Sequence, residues 1–570
     1  MTSKKFYTLG ICNNETSSAC LFKNGTLIAA ASEERFSRIK MDSSFPYKSI
    51  EYLLEHEKIK LSNIKNIAYA FSKGFNKKLN SIYKARKLEC RKNKNAYKIF
   101  TDRYKWEETS DKIKSDEFRV WSHKFLNKNQ IKLTKTFYHH EAHAASATLL
   151  SMYDKGLVLT ADGRGDYESL TLSIFDRKKK DPLTKIYSAT SSDSLGYFYG
   201  RITGLLGFKP KEHEGKVTGL AAYGNPKKTI SLMRKMIKVK QGRLIANLGD
   251  YYRPYFDPYS KKILSEIRKY SKEDIAAAAQ LHLEECLCDI LNFYAKKLKI
   301  KSTNLMLAGG IFANVKVNQS IKSLKFINKI FVQPQMGDGG LCLGAGALSL
   351  HQKSIKVESI KNMYLGPSIK IKNIIHLKSK NKNLNFKKCK SIQSNMCRDL
   401  TNNKVLGLVR GRMEFGPRAL CNRSIIYKTK DKSINDWLNK RMNRTEFMPF
   451  APIVRSEVAK NVFKDFIDDD FSLRFMTSTI NCTKKFSKKS PAVTHIDGTA
   501  RPQVIYKNEN NFIWLLLKKW ENLSKELSLV NTSFNAHQEP IINNESEALN
   551  ALKKGMIDVL YIENFRITKI

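Results

Sequence analysis

Residues 7–34 read YTLGICNNETSSACLFKNGTLIAAASEE, and their pattern indicates how the amino-terminal part of the chain folds. The segments YTLGIC and SSACLFK alternate apolar and small residues, and Lys23 to Gly25 form a tight-turn signal before TLIAAASEE. We therefore predict a β-hairpin that continues into a third strand. A second strand-turn-strand pattern lies in GLVLTADGRGDYESLTLSIF at 156–175, where we expect an Asp-Gly turn.

Two hairpins of this kind, with small or acidic residues at their turns, recur in the actin/sugar-kinase type of fold. In that fold the turns approach nucleotide phosphates. Such a repetition predicts a fold and leaves the activity to be argued from the site.

A histidine pair in YHHEAHAASATLL, 138–150, is the strongest chemical signal. His139 and His143 lie one helical turn apart, so a helix would project both imidazoles from one face toward a metal ion. The alternative is two helix histidines satisfied by hydrogen bonds. The TADGRGD and GDGG stretches, which follow later in the chain, favour a metal-dependent enzyme that handles phosphorylated substrates.

Length and composition limit the class of protein. A chain of 570 residues, 42% of them hydrophobic, predicts two or more folded domains rather than a disordered polymer. No apolar run reaches the roughly 18–20 residues of a membrane span, and the first ten residues lack a signal sequence. We expect a cytoplasmic protein that does not contact a membrane.

The formal charge of +48 is compatible with nucleic-acid binding. Lysine, asparagine and isoleucine are spread along the whole chain, which favours compositional bias instead, and a nucleic-acid partner is not expected. The densest basic stretch, Lys73 to Lys135, has a helical, polar pattern and is interpreted as a solvated lid or insertion.

Two further segments predict secondary structure around a nucleotide site. A helix is expected from Ser271, and NLMLAGGIFANVKVNQSI predicts a strand, a turn at Gly309 and Gly310, and a helix that carries Asn314 and Asn318. Between about Lys353 and Lys388 the apolar periodicity is lost. We place a connector at 356–388, between domains at 1–355 and 389–570.

The chain resembles an O-carbamoyltransferase of the NodU/CmcH/TobZ family along nearly its full length. The resemblance implies an α/β, actin/sugar-kinase-like amino-terminal domain, similar to the tRNA threonylcarbamoyl transferase, joined to an α+β, YrdC-like domain. The matching motifs, in chain order, are SEERFSRIKMDSSFP, HHEAHAASA, TADGRGD, GKVTGLAAYG, LAGGIFANVKVN, GDGG, GRMEFGPRALCNRSI, RTEFMPFAPIV, THIDGTARPQ and VNTSFNAHQEPI.

The family chemistry, as the resemblance implies it, uses ATP and carbamoyl phosphate to make carbamoyl adenylate in the second domain. The first domain then transfers the carbamoyl group to an acceptor hydroxyl and releases AMP. Guanidinium groups match the phosphate of carbamoyl phosphate, and neutral amide or hydroxyl donors can orient its carbamoyl group. The residues expected to bind these co-substrates are Arg418, which we also expect to be catalytic, with Arg423, Arg444, Arg501, Asn531, Ser533 and Asn535.

The resemblance also assigns a metal centre and a nucleotide site. His139, His143, Asp338 and Asp162 are the expected ligands. The family usually binds iron, though such a ligand set also suits zinc, manganese or cobalt. Residues expected near the nucleotide are Lys216, Gly309, Gly310, Asn314, Asn318 and Gly337.

The first hairpin turn departs from the family pattern. Many relatives have a histidine and an aspartate where this chain has Asn14 and Glu15, which are the candidate catalytic residues of this turn. An asparagine amide cannot accept a proton as a general base, so Glu15 or a phosphate oxygen would have to take the proton of the acceptor hydroxyl.

Two other functions are compatible with the sequence. Both domains resemble enzymes that build threonylcarbamoyladenosine on tRNA, and a non-catalytic nucleotide-binding regulator would explain Asn14. The order of the motifs favours the O-carbamoyltransferases, whose acceptors are small molecules or glycans. The resemblance is also compatible with a homodimer.

Overall fold

The computed structural model describes residues 5–70, 77–254, 258–442 and 447–570. Helices and strands alternate along the chain, and the predicted mixed α/β class is confirmed. Two five-stranded sheets lie in the amino-terminal part, and an eight-stranded sheet lies in the carboxyl-terminal part.

The first sheet contains the predicted hairpin. Its strands are β1 (Tyr7–Cys12), β2 (Ser18–Lys23), β3 (Thr26–Ser32), β4 (Ile64–Ala70) and β5 (Thr134–Phe137). Strands β1 to β3 are antiparallel, β4 and β5 join in parallel, and the order is β3-β2-β1-β4-β5. The β2–β3 turn places Asn24 and Gly25 at φ +50° and +88°, values that these two residue types adopt easily.

Six α-helices lie between β3 and the start of the second sheet along the described part of the chain. They are α1 (Glu34–Ser37), α2 (Tyr47–Glu57), α3 (Lys77–Cys90), α4 (Lys94–Phe125), α5 (Lys128–Lys132) and α6 (His139–Thr148). The basic stretch at 73–135 is therefore helical, as predicted, although residues 71–76 lie outside the described part. A buried ion pair of 2.9 Å between Arg86 of α3 and Asp193 fixes this insertion to the body of the protein.

The second sheet repeats the topology of the first. The next strands are β6 (Lys155–Gly165), β7 (Glu168–Asp176), β8 (Leu183–Thr190), β9 (Ile237–Lys240), β10 (Arg243–Ala246), β11 (Thr303–Ala308) and β12 (Ile327–Val332). Strands β9 and β10 form a separate hairpin, and the others are ordered β8-β7-β6-β11-β12, with β11 and β12 parallel to β6. This duplicated order agrees with the two hairpins expected from the sequence.

One turn differs from the prediction. Asp162 and Gly163 lie within β6, and the chain reverses instead at Asp166 and Tyr167, whose φ values are +53° and +69°. The β6–β7 register is irregular between Ala161 and Gly165, so the strand continues past the Asp-Gly pair. This extension leaves the Asp162 side chain on a rigid strand.

The helices after β8 are α7 (Leu195–Leu205), α8 (Glu214–Leu220), α9 (Ile230–Met236), α10 (Lys261–Ile267), α11 (Lys272–Lys297), α12 (Val315–Lys322) and α13 (Leu341–His351).

Two helices, α6 and α13, lie between the two five-stranded sheets. Helix α13 packs on β1 and β4, whereas α6 packs on β6 and β11, and the two helices contact each other. A Cβ atom on Gly344 would lie 1.8 Å from the carbonyl oxygen of Ala142, so glycine permits this close helix approach.

The carboxyl-terminal part contains the remaining strands and helices. Its strands are β13 (Tyr364–Ser368), β14 (Leu384–Lys388), β15 (Leu406–Val409), β16 (Arg412–Glu414), β17 (Arg423–Tyr427), β18 (Ala451–Arg455), β19 (Ile480–Asn481), β20 (Thr499–Ala500), β21 (Gln503–Ile505), β22 (Ser528–Ser533), β23 (Val559–Ile562) and β24 (Phe565–Lys569). Its helices are α14 (Ile371–Lys380), α15 (Ile392–Thr401), α16 (Ile434–Arg441), α17 (Ala459–Val462), α18 (Phe471–Arg474), α19 (Lys484–Lys489), α20 (Asn511–Ser524) and α21 (Glu545–Lys553).

The eight-stranded sheet has the order β14-β24-β23-β15-β17-β22-β18-β21. A large apolar core that includes Leu406, Trp520 and Leu560 packs around it. Residues 356–388, where we predict a connector, contain β13, α14 and the edge strand β14. The division of the chain into domains at this segment stays a prediction.

Candidate metal centre and adjoining cavities

Helix α6 carries the histidine pair on a buried face. His139 is 2% exposed and His143 is fully buried, and both side chains point toward the same two carboxylates. The alanines between and after them are also buried, which lets α6 lie close to β6 and β11. Small residues thus place both imidazoles inside the protein on one rigid element.

Two carboxylates come from different elements to meet the histidines. Asp162 lies in β6, and its Oδ2 is 2.7 Å from Nε2 of His139 and 3.2 Å from Nε2 of His143. Asp338 follows β12, and its Oδ1 is 3.7 Å and 3.6 Å from the same two nitrogens. One ligand atom from each of the four side chains lies within 4.8 Å of the other three.

The charges of this cluster are strongly coupled. Burial opposes a charged imidazole at His139, but Asp162 and Asp338 outweigh it and raise the pKa of His139 to about 9. Burial would raise the pKa of Asp162, yet His140 and His139 hold it well below its usual range. The neighbouring His139 likewise lowers the pKa of Asp338 against the effect of burial.

Buried polar atoms in the cluster have no hydrogen-bond partner among the described residues. They include both ring nitrogens of His143 and Oδ1 of Asp162. Two imidazole nitrogens and two carboxylates make up a donor set that suits a divalent transition metal, and such an ion would satisfy Nε2 of His143. The residues present therefore fit a metal ion. His140 lies beside them: its Nδ1 is 2.8 Å from Oγ1 of Thr160, and burial lowers its pKa to about 3.

The loop after β1 brings Asn14 and Glu15 to this centre. Nδ2 of Asn14 lies 3.1 Å from Nδ1 of His139, on the side of the ring that faces away from the carboxylates. Glu15 is more exposed and forms an ion pair with Lys211. Asn14 therefore contacts a candidate ligand, whereas Glu15 pairs with Lys211.

A cavity of about 650 Å³ opens onto the centre, and we name it the metal-side cavity. Its lining includes residues that we predicted for the functional site. One wall comes from helix α4, whose residues the sequence did not assign to the site. Asp111 in that wall forms a 2.7 Å ion pair with Arg164 of β6. The residues that define the cavity are Asn14, Glu15, His139, Asp162, Gly337 and Asp338, with Trp106, Ser110, Asp111 and Lys114 from α4.

A second cavity of about 590 Å³, the arginine-side cavity, lies between the amino-terminal and carboxyl-terminal parts. The two cavities are continuous, because several residues at their junction line both. The predicted residues in the second cavity are Gly310, Asn314, Arg418, Arg501, Asn531, Ser533 and Asn535. The junction consists of Glu15, Lys40, Asp162, Gly163, Tyr197, Lys211, Glu212, Gly310, Ala313, Pro417, Ser533 and Asn535.

Two side chains in the arginine-side cavity have informative contacts. Arg418 donates from Nη2 to the carbonyl oxygen of Ala313 at 2.9 Å, which links the two parts of the chain. Asn531 is 1% exposed, and its Nδ2 donates to the carbonyl oxygen of Ala419 at 3.1 Å and to Gln503 Oε1 at 3.0 Å. Its Oδ1 has no hydrogen-bond partner among the described residues, so Asn531 can offer an acceptor rather than the expected donor.

Among the described residues, several predicted site residues do not line either cavity. Asn318 donates to the carbonyl oxygens of Phe312 and Thr477, and Arg423 is fully buried and donates to backbone carbonyls such as that of Arg410. Both serve local structure, because their donors satisfy loops. The other residues away from the cavity walls are Lys216, buried in α8, Gly309, and His143, which lies behind the surface in the cluster.

Gly309 has a steric role that explains its identity. Its φ is +110°, and a Cβ atom there would lie 2.2 Å from the carbonyl oxygen of Ala161 in β6. The predicted strand-turn-helix around it is present as β11, a short 3-10 turn and α12, with Asn314 capping α12 rather than lying on its face. Arg444, another predicted phosphate ligand, lies outside the described residues.

Sequence reasoning also missed two arginines that join the two parts of the chain. Arg35 and Arg38, next to β3, donate to backbone carbonyls of the carboxyl-terminal part. Arg35 contacts the oxygen of Gly416 at 2.9 Å, and Arg38 contacts those of Pro540 and Ile541 at 2.8 and 2.9 Å. The SEERFSR motif contains both arginines. It was the available sequence signal for this contact, because neither arginine had been given a role.

Comparison with known proteins identifies relatives along the whole chain. Residues 8–347 match the family model described as Carbamoyltransferase N-terminus, and residues 397–569 match Carbamoyltransferase C-terminus. An uncharacterized protein of Methanocaldococcus jannaschii is 32% identical over 99% of both chains. Nodulation protein NolNO of Sinorhizobium fredii is 29% identical over 97% of this chain and 78% of its own length.

Solved structures resemble this chain only distantly. Component A of (R)-2-hydroxyglutaryl-CoA dehydratase from Acidaminococcus fermentans covers 61% of this chain and 99% of its own, with 14% identity and a TM-score of 0.33. Among the described residues, no helix combines the length and apolar character that crossing a membrane would require.

Proposed function

This chain belongs to the carbamoyltransferase family, and we propose that it carbamoylates a hydroxyl group of a small-molecule or glycan acceptor. Family membership makes it an enzyme that transfers carbamoyl groups. The proposal adds two steps: carbamoyl adenylate forms from ATP and carbamoyl phosphate in the arginine-side cavity, and the carbamoyl group is then transferred in the metal-side cavity.

The observation that carries this proposal is the continuity of the two cavities. Arginine and amide side chains line one of them, a histidine and carboxylate cluster lines the other, and both share a wall near Glu15 and Ser533. An intermediate made at the arginine side can therefore reach the metal side without leaving the protein. Such confinement protects a reactive mixed anhydride from water.

The first step uses the charge of the arginine-side cavity. Water would release phosphate from carbamoyl phosphate, and the carbamate oxygen would displace pyrophosphate from the α-phosphorus of ATP. Arg418 and Arg501, with Arg444 from its motif, supply guanidinium donors for the phosphate oxygens. Ser533 and Asn535 lie at the junction, and Oδ1 of Asn531, which has no hydrogen-bond partner among the described residues, would accept a hydrogen bond from the carbamoyl amino group.

The second step moves the carbamoyl group to the acceptor. The hydroxyl oxygen forms a bond to the carbamoyl carbon, AMP leaves, and the hydroxyl proton passes to a base. Glu15 is our candidate for that base, because its carboxylate lines both cavities, where it forms an ion pair with Lys211. The acceptor would contact the α4 wall, where Trp106 and Asp111 face the cavity.

His139, His143, Asp162 and Asp338 would hold a divalent ion, with iron as the ion that the family resemblance favours. When bound, such an ion would supply positive charge for phosphate oxygens of the leaving AMP. Gly310, Asn314 and Gly337 lie close enough to the cavities to contact the nucleotide. Lys216, Gly309, Asn318 and Arg423 would act behind the walls by supporting them.

We further propose that the two steps divide between two domains. An actin/sugar-kinase-like domain at 1–355 would transfer the carbamoyl group, and a YrdC-like domain at 389–570 would form the adenylate. The duplicated five-stranded sheets support the first assignment, and the position of Arg418, Arg501 and the NTSFN motif supports the second.

Separate assays of the two half-reactions test this division. We expect Arg418→Ala to reduce carbamoyl adenylate formation by about 10²-fold or more, since it removes a charge-matched donor. His139→Ala should chiefly reduce AMP release from supplied carbamoyl adenylate in the presence of a panel of hydroxylated acceptors. Arg398→Ala, an exposed arginine on α15, is the control. Equal loss of both half-reactions in both variants would contradict the division.

A further inference from the structure

The two histidines of the cluster differ in the partner of their Nδ1 atom. Nε2 of each faces Asp162 and Asp338 at 2.7–3.7 Å. Nδ1 of His143 has no hydrogen-bond partner among the described residues, whereas Nδ1 of His139 is 3.1 Å from the side-chain amide of Asn14. Among the described residues, therefore, a polar side chain faces Nδ1 of His139 but not Nδ1 of His143.

We infer that Asn14 is a positioning residue of the metal centre, which holds the imidazole of His139 with Nε2 directed at the metal. This inference rests on the metal site of the proposed function. It assigns Asn14 a task that does not require proton transfer, which its amide cannot perform.

The hydrogen-bond chemistry of histidine supports this role. A ring that binds a metal through Nε2 must carry its remaining proton on Nδ1, and a partner that accepts this proton fixes both tautomer and ring orientation. In the structure Nδ2 of Asn14 faces Nδ1 of His139, while Nε2 of His139 is 2.7 Å from Asp162. In a neutral ring without a metal, Nδ1 can thus accept from Asn14 while Nε2–H donates to the carboxylate, whereas a ring protonated at both nitrogens, like a metal-bound ring, needs an acceptor at Nδ1.

An amide is suited to both states of the centre. Rotation of the Asn14 side-chain amide by half a turn exchanges its oxygen and nitrogen, so that the oxygen accepts the proton from Nδ1 when Nε2 binds a metal. Alanine offers neither group, whereas aspartate offers only the acceptor that the metal-bound state uses. The two substitutions should therefore act in opposite directions.

The loop that carries Asn14 is held in place by its neighbour. Asn13 is fully buried, accepts a hydrogen bond from the Tyr69 hydroxyl at 2.6 Å, and donates to Glu117 at 2.8 Å. These contacts join the loop to β4 and to α4. Asn14 thus reaches His139 from an anchored backbone, as a positioning residue requires.

Metal binding to the full chain tests the inference without an acceptor or a turnover assay. We would titrate metal-free protein with Co²⁺ and follow its visible absorption, which reports the ligand set, in parallel with calorimetry. Asn14→Ala should weaken Co²⁺ binding by about 10–100-fold. Asn14→Asp should bind at least as tightly as the unaltered chain, and Lys65→Ala, at an exposed position of β4 away from both cavities, should leave the affinity unchanged. Melting of the metal-free variants checks that each one folds.

The outcomes separate two failures. If the unaltered chain binds Co²⁺ and Asn14→Ala binds it equally well, the positioning role is wrong while the metal site stands. If the Asn14→Asp variant loses as much affinity as Asn14→Ala, the acceptor argument is wrong. Absence of Co²⁺ binding by the unaltered chain would overturn the metal site of the proposed function together with this inference.

Discussion

The metal-side and arginine-side cavities are built in different ways. The four cluster residues come from α6, β6 and the turn after β12, which all lie within the amino-terminal part, and three of them are buried. The arginine-side wall instead joins both parts of the chain, and Arg418 is anchored by the carbonyl oxygen of Ala313 across the interface. Metal binding should therefore depend on one part, whereas adenylate formation should depend on the contact between both.

We expect the largest change in activity from a substitution at Glu15, in the junction of the two cavities. Glu15→Gln keeps the shape of the side chain but removes the proposed proton acceptor, so carbamoyl transfer should fall by about 10²–10⁴-fold. Carbamoyl adenylate formation should stay within a few-fold of the unaltered protein. The measurement compares AMP release with and without an acceptor. If transfer were unaffected, another group, such as a phosphate oxygen, would have to take the proton.

A smaller effect concerns pH and the cluster alone. The pKa of His139 is raised to about 9 in the metal-free protein, mainly because Asp162 and Asp338 outweigh burial. A metal ion must displace that proton, so Co²⁺ affinity should rise roughly tenfold per pH unit from pH 7 and level off above about 9.

The same shift has a consequence for folding. A raised pKa gives stability that is fully present below the ordinary pKa of histidine, about 6.5, and is lost as the pH rises through about 9. Melting temperatures of the metal-free protein should fall across this window, and His139→Ala should remove this component. Arg418→Ala, in the arginine-side cavity, should change neither the pH dependence of the Co²⁺ affinity nor that of the melting temperature. A Co²⁺ affinity that stays constant between pH 7 and 9 would contradict the raised pKa of His139.

The sequence predicted those parts of the fold and site that depend on local pattern. Alternating residues and the Asn24-Gly25 turn predicted the first hairpin, and i, i+4 spacing predicted the helical histidine pair. The strand-turn-helix at Gly309 also follows from local signals, because backbone at φ +110° favours glycine. Family motifs brought Asp162 and Asp338 into the expected ligand set, although 176 positions separate them in sequence.

Features that arise from distant contacts could not be predicted. The Asp162-Gly163 pair has a turn signal, yet pairing with β7 extends the strand through it. Arg423 has the motif of a phosphate ligand, but burial directs its guanidinium to backbone carbonyls. The role of α4 as a cavity wall, and the contact of Asn14 with His139, depend on packing between elements that are far apart in the chain.

The most direct test of the central claim is mass spectrometry of the purified protein incubated with ATP, carbamoyl phosphate and Fe²⁺ in the absence of an acceptor. We expect carbamoyl adenylate to accumulate, with release of pyrophosphate and phosphate, and omission of carbamoyl phosphate to abolish its formation. If no carbamoyl adenylate forms with Fe²⁺, Mn²⁺, Co²⁺ or Zn²⁺, the proposed division between an adenylate-forming and a transferring cavity would be contradicted.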